Sequence, residues 1–136
     1  MGLLGIMSVS GSALAVERQR AEIAAGNLAN SESTRGADGK AYRRNVAVVS
    51  AVPAYRNGSG LVSGVRVDTI ATVDSTVRRY EPWHPDAGVD GYVEYPDVNP
   101  AVEMADLMSA DRSFQLNAAA IQSAKSMLAD SLEIAK

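Results

Sequence analysis

The chain changes its hydrophobic period twice. Over residues 1–33, Leu3, Met7, Leu14, Ala21, Ala24 and Leu28 recur at helical spacing, and Ile6, Val9, Ala13, Val16 and Ile23 form a second stripe beside them. That spacing predicts a helix with a wide apolar surface. In the middle, Val65, Val67, Thr69, Ala71 and Val73 alternate with Arg66, Asp68, Ile70 and Thr72, which is strand spacing. Asp38-Gly39 and Asn57-Gly58 are hairpin-type turn signals on either side of the apolar run from Val46 to Val52. Pro82, Pro85, Gly88, Gly91 and Pro96 mark irregular connections.

After Asn99-Pro100, which predicts a helix start with proline at its first position, the period returns to helical. Positions 104, 107, 111, 114, 118, 121, 125, 128, 132 and 135 step by threes and fours; Met104, Leu107, Phe114, Ala118, Ile121, Leu128, Leu132 and Ala135 are apolar, and Asp111 and Lys125 interrupt the seam. No proline or glycine follows Pro100. A helix of that length is a rod of roughly 55 Å at about 1.5 Å per residue, too long for a compact domain of this size to enclose.

The expected fold is therefore α+β. Long N-terminal (1–33) and C-terminal (98–136) helices pack as a coiled-coil-like helical domain, and 34–97 is a small inserted β-hairpin domain. Two wide apolar stripes exceed what one partner helix covers, which favours an assembling subunit over an isolated enzyme.

Composition sharpens this picture mainly by exclusion. The chain has 136 residues, 46% of them hydrophobic but only 5% aromatic, so the core must rest on small and aliphatic side chains. The net charge of −3 is spread without a basic block, which argues against nucleic acid as a partner. There are no cysteines, hence no disulfide, thiol catalysis or thiolate metal site. Ala13-Leu14-Ala15 has the look of a cleavage site, yet no Lys or Arg precedes the apolar run and Ser8, Ser10, Gly11 and Ser12 interrupt it, so a cleaved signal is not expected.

Candidate chemistry is sparse. The single histidine, His84, lies in the proline-clamped Glu81-Pro82-Trp83-His84-Pro85 with no nucleophile elbow anywhere, and reads as a turn residue. Asp86 to Gly91 lacks calcium-loop spacing, and the glycines at 58, 60 and 64 lack the Lys-Ser/Thr of a phosphate loop. Arg43-Arg44 and Arg78-Arg79 read as solvated strand ends, and Met104, Met108 and Met127 read equally as core or as an adaptable partner surface.

Three stretches resemble a known family. They are Gly11-Ser12-Ala13-Leu14 through Arg18-Gln19-Arg20 to Asn27-Leu28-Ala29-Asn30; Tyr80-Glu81-Pro82 and His84-Pro85 with Gly91-Tyr92-Val93 and Pro96-Asp97-Val98; and Ser109-Ala110-Asp111-Arg112-Ser113-Phe114-Gln115 with Asn117, ending in Lys125-Ser126-Met127-Leu128. The chain is similar to the flagellar rod and hook axial proteins, and its short middle section resembles the FlgC type of the proximal rod. Phe114 stands where that family commonly has tyrosine, and Ala135 where it often has glycine.

The resemblance implies a structural subunit of the periplasmic rod, the drive shaft between rotor ring and hook, with no catalytic activity, cofactor or small-molecule substrate. It also implies export by the flagellar type III apparatus without a cleaved signal, with the terminal helices forming an inner tube and the β section outside. The implied partners are FlgB-type and FlgF-type rod proteins, a FliE-type adaptor to the rotor ring, and further copies of the chain. On this reading Leu14, Ile23, Leu28, Phe114, Ile121 and Leu128 pack between subunits. Asn27, Asn30, Arg112 and Asn117 fix register by hydrogen bonds, with a neighbouring subunit answering Asn27. A secreted coiled-coil adaptor or chaperone is the alternative that the helical ends alone would also fit.

Overall fold

The structure is a computed structural model that describes residues 3–54 and 62–134. Its elements run α1 (Leu3–Ala29), β1 (Arg44–Ala54), β2 (Val62–Val73), β3 (Thr76–Tyr80), β4 (Tyr92–Pro96) and α2 (Pro100–Ile134). The class is α+β, as the periodicities require.

Both helix ends follow from local chemistry. Asn99 caps α2: its Oδ1 accepts the Ala101 N–H at 3.0 Å, and its carbonyl accepts the Val102 and Glu103 N–H groups at 3.0 and 3.1 Å. Pro100, with no N–H to satisfy, occupies the first helical position. At the end of α1 the Asn30 side chain donates to the Gly26 carbonyl at 2.9 Å and accepts from the Ser33 hydroxyl at 3.2 Å, closing the last turn.

The helices are antiparallel neighbours. Asn27, near the end of α1, bonds to Glu103, near the start of α2, while Leu14 and Phe114 meet half-way along. Buried Val16 and Ala24 on α1 and Ala110 and Ala124 on α2 are small or short, which lets the backbones approach closely. The seam of α2 nonetheless differs from the expected one. Glu103, Ala110 and Ala124 are buried and Asn117 is half-buried, whereas Met104, Asp111 and Lys125 are exposed. Half of the heptad positions thus lie one residue earlier than the apolar pattern suggests, and the two charges that interrupted the stripe never enter the seam.

The β section is two separate antiparallel ribbons, β1–β2 and β3–β4, in keeping with the small β-hairpin domain expected. In β1–β2 the pairing passes from Val48↔Thr69 to Val49↔Val67, leaving Asp68 as the extra residue of a bulge. One extra residue reverses the pleat, so Thr69, Ala71 and Val73 lie on the face opposite Val65 and Val67, and Ile70 joins those two valines. That corrects the simple alternation, although Ile70 itself is 45% exposed. Asp38-Gly39 is also not a hairpin turn. Gly39 has φ +75° and closes a loop on Gly36 and Lys40 between α1 and β1. Asn57-Gly58 lies outside the described residues.

The ribbon β1–β2 packs on α1, whose Ser12 hydroxyl accepts the Val65 N–H at 3.1 Å. The ribbon β3–β4 holds its own small core of Val93 and Tyr95 with Ala41. Its arginines are engaged rather than simply solvated: Arg78 pairs with Asp90 and lies 4.8 Å over the Tyr92 ring, and Arg79 lies 4.6 Å over Tyr95. His84 is half-buried, and its Nδ1 accepts the Asp86 N–H at 3.1 Å within the loop.

Candidate functional site

The most ordered polar cluster lies where α1, β1 and α2 converge. Asn27 is 1% exposed, and all four of its hydrogen-bonding positions are filled. Its Nδ2 donates to the Asn45 carbonyl at 2.8 Å and to Glu103 Oε2 at 3.0 Å; its Oδ1 accepts the Asn45 N–H and the Tyr42 hydroxyl, each at 2.9 Å. Glu103, also 1% exposed, receives the Arg44 Nε at 2.6 Å. The network continues through Asn45 Nδ2 to the Tyr42 oxygen and through Asn45 Oδ1 to the Thr72 hydroxyl. Burial is the main cause that raises the Tyr42 phenol above its ordinary value, and the nearby Glu103 charge adds to it.

This placement corrects the expectation that a neighbouring subunit answers Asn27. Its partners belong to its own chain, so the amide fixes the register of one strand and two helices within the subunit. Arg44 is likewise no free strand end, since it is the counter-charge of a buried carboxylate. Tyr42, Arg44, Asn45 and Glu103 escaped the sequence reading. The signal for Glu103 was the one-residue offset of the seam, on which it stands at heptad spacing with Ala110, Asn117 and Ala124.

The other expected residues are dispersed. Ile23 lines a small cavity of about 160 Å³ with Asn27, Arg44 and Glu103, while Leu14 and Phe114 line an open groove with Arg18 and Glu22. Leu28, Ile121 and Leu128 are half-buried, and Phe114 remains 38% exposed. Asn30 ends α1, Asn117 donates to the Ser113 carbonyl of its own helix at 2.9 Å, and Arg112 is exposed. Arg112 and Asn117 thus share α2 without meeting Asn27.

Several large apolar side chains of α2 stand exposed among its polar ones. Met104, Met108, Leu116 and Met127 are all exposed, Met108 at 71% and Leu116 at 66%. The ribbon β1–β2 covers part of α1, but among the described residues α2 has α1 alone as a substantial packing neighbour. Among the described residues no cluster of His, Asp or Glu could hold a metal ion, and no helix is long and apolar enough to cross a membrane.

Comparison with known proteins decides the family. The chain is 39% identical to a flagellar basal-body rod protein FlgC of Salmonella typhimurium, with 98% of each chain covered. The chain belongs to the FlgC family of flagellar basal-body rod proteins. A FlgC protein of Bacillus subtilis is 37% identical over 96% of each chain, and one of Escherichia coli O6:H1 is 40% identical over 98%. Residues 89–134 also match the model of the flagellar basal body rod FlgEFG protein C-terminal region. That segment joins β4 and α2 and contains the Asn99 cap, Glu103 and the exposed methionines. As a member of the FlgC family the chain is a structural subunit of the flagellar basal-body rod and assembles with other rod components.

Proposed function

We infer that this subunit polymerises through the outward faces of its paired terminal helices and has no catalytic role. The helix pair, from 1–33 and 98–136, forms the inner wall of the rod, and the two ribbons of 34–97 stand outside it. A shaft built this way transmits torque from the rotor ring to the hook. The observation that carries the reading is the set of large apolar side chains left exposed on α2, Met104, Met108, Leu116 and Met127, on a helix whose one substantial packing neighbour among the described residues is α1. Several large apolar side chains on one exposed helix gain about 1.5–3 kcal/mol each when another subunit covers them fully.

The neighbours that fit are FlgB-type and FlgF-type rod proteins, the FliE-type adaptor, and further copies. Delivery is by the flagellar type III apparatus without a cleaved signal, in keeping with an N-terminal segment interrupted by serines. The test is Leu116→Asp in the full chain. The variant is expected to retain its helical circular dichroism and its export while yielding no rod-bearing basal bodies and no swimming. Normal motility of Leu116→Asp overturns the reading.

A further inference from the structure

Trp83, the chain's only tryptophan, is 96% exposed on a turn that is firmly held. Pro82 and Pro85 bracket it. The His84 N–H donates to the Glu81 carbonyl, the Ala87 N–H to the His84 carbonyl and the Glu81 N–H to the Gly91 carbonyl, each at 3.0 Å. Such a turn has little freedom left to lose on binding. A rigid, solvent-exposed indole is the side chain most suited to anchor an interface, because it offers a large apolar face and one polar N–H.

The helix pair carries a groove of matching chemistry. Leu14, Ala15, Arg18, Gln19 and Glu22 of α1 and Phe114 of α2 enclose about 610 Å³, room enough for an aromatic side chain, open to solvent. Leu14, Ala15 and the Phe114 ring supply an apolar and aromatic floor. Arg18 offers a guanidinium to the face of an indole, and Gln19 and Glu22 offer acceptors for its N–H. Arg18 and Glu22 pair with each other across 3.2 Å on the exposed surface, a weak ion pair that readily rearranges around a guest.

An indole that is 96% exposed does not occupy the groove of its own chain, and its turn is fixed in that position. We propose that Trp83 of one copy docks in the Leu14–Phe114 groove of another copy. Knob and groove are different surfaces, so a head-to-tail contact between them repeats along a helical shaft wherever its rotation does not close a ring. This rests on the polymerising reading above and names one of its contacts.

The test replaces Trp83 with a photoreactive aromatic, Trp83→p-benzoylphenylalanine, in the full chain within assembled basal bodies. Irradiation is expected to give a dimer of this chain, with the new bond mapped to residues 14–22 or to Phe114. In parallel, Trp83→Ala is expected to give about tenfold fewer rod-bearing basal bodies, and Trp83→Phe to restore part of that loss. Adducts only to a different protein, or no adduct together with normal assembly of Trp83→Ala, overturn the proposal. If Leu116→Asp still abolishes rods in that case, the polymerising reading stands and only the docking contact falls.

Discussion

The side chain of Asn27 takes the place of a neighbouring strand for Asn45, donating to its carbonyl at 2.8 Å and accepting its N–H at 2.9 Å. A helix and a strand are thereby locked in one register by a single carboxamide. A sliding of α1 by even one residue would take the Asn27 partner from the backbone of Asn45, the Tyr42 hydroxyl and the Glu103 carboxylate at once, so burial makes the arrangement specific.

Asn27→Ala should therefore cost about 2–4 kcal/mol, more than an average hydrogen-bond deletion, because four hydrogen bonds, one of them fully buried, are lost at once. Asn27→Asp should cost more near neutral pH, where its carboxylate would face that of Glu103. Urea denaturation of both variants checks the order. Equal midpoints for the wild-type and Asn27→Ala chains would show that the amide contributes nothing.

The Glu103–Arg44 pair should behave as a unit. Removing one partner, as in Glu103→Ala or Arg44→Ala, should destabilise by about 3–5 kcal/mol, since the survivor is a buried or half-buried charge. The double variant should lose clearly less than the sum, and a double-mutant cycle measures that coupling directly. Asp106, 3.8 Å from the Arg44 Nη2, softens the loss in Glu103→Ala more than in Arg44→Ala.

Tyr95 should confer an alkaline limb on the stability profile. Its hydroxyl donates to Glu81 Oε2 at 2.9 Å, and that bond, followed by burial, raises its phenol above the ordinary value of 10.0. The unfolded chain releases this proton first, so stability is fully present below pH 10 and declines as pH rises above it. Tyr95→Phe should flatten that decline, read as the urea midpoint at pH 9 and pH 11. Tyr42, raised chiefly by burial, should retain a part of the slope in that variant.

Gly91→Ala should cost about 1–3 kcal/mol. The residue has φ +75°, and an added Cβ would stand 2.8 Å from Tyr80 Cε2 and 3.4 Å from Pro82 Cβ. The edge-on Tyr80–Tyr92 ring pair, with centroids 5.2 Å apart, should be disturbed as well. Near-ultraviolet circular dichroism reports the tyrosines, and thermal unfolding reports the energy.

What the chain disclosed in advance was what local chemistry decides. Two helices separated by strands and the Asn99-Pro100 start follow from periodicity, capping and proline, which act over a few residues. Family-level motifs identified the kind of protein. The site was less legible. Asn27 stood out because a polar amide inside an apolar helix demands a partner, but no local rule says whether that partner is in the same chain.

Only the tertiary structure decided that Asn27 is answered by Asn45, Tyr42 and Glu103 rather than by a neighbouring subunit. It also placed the α2 seam on Glu103, Ala110 and Ala124 instead of Met104, Asp111 and Lys125, and reversed β2 at Asp68. Periodicity specifies that a face is apolar, but the stripe of α2 is wide enough to admit a seam set one residue over, and in β2 one extra residue reverses the face that each later side chain takes. Between the helices the choice falls to the long-range pairing of a few polar groups whose burial tolerates a single register.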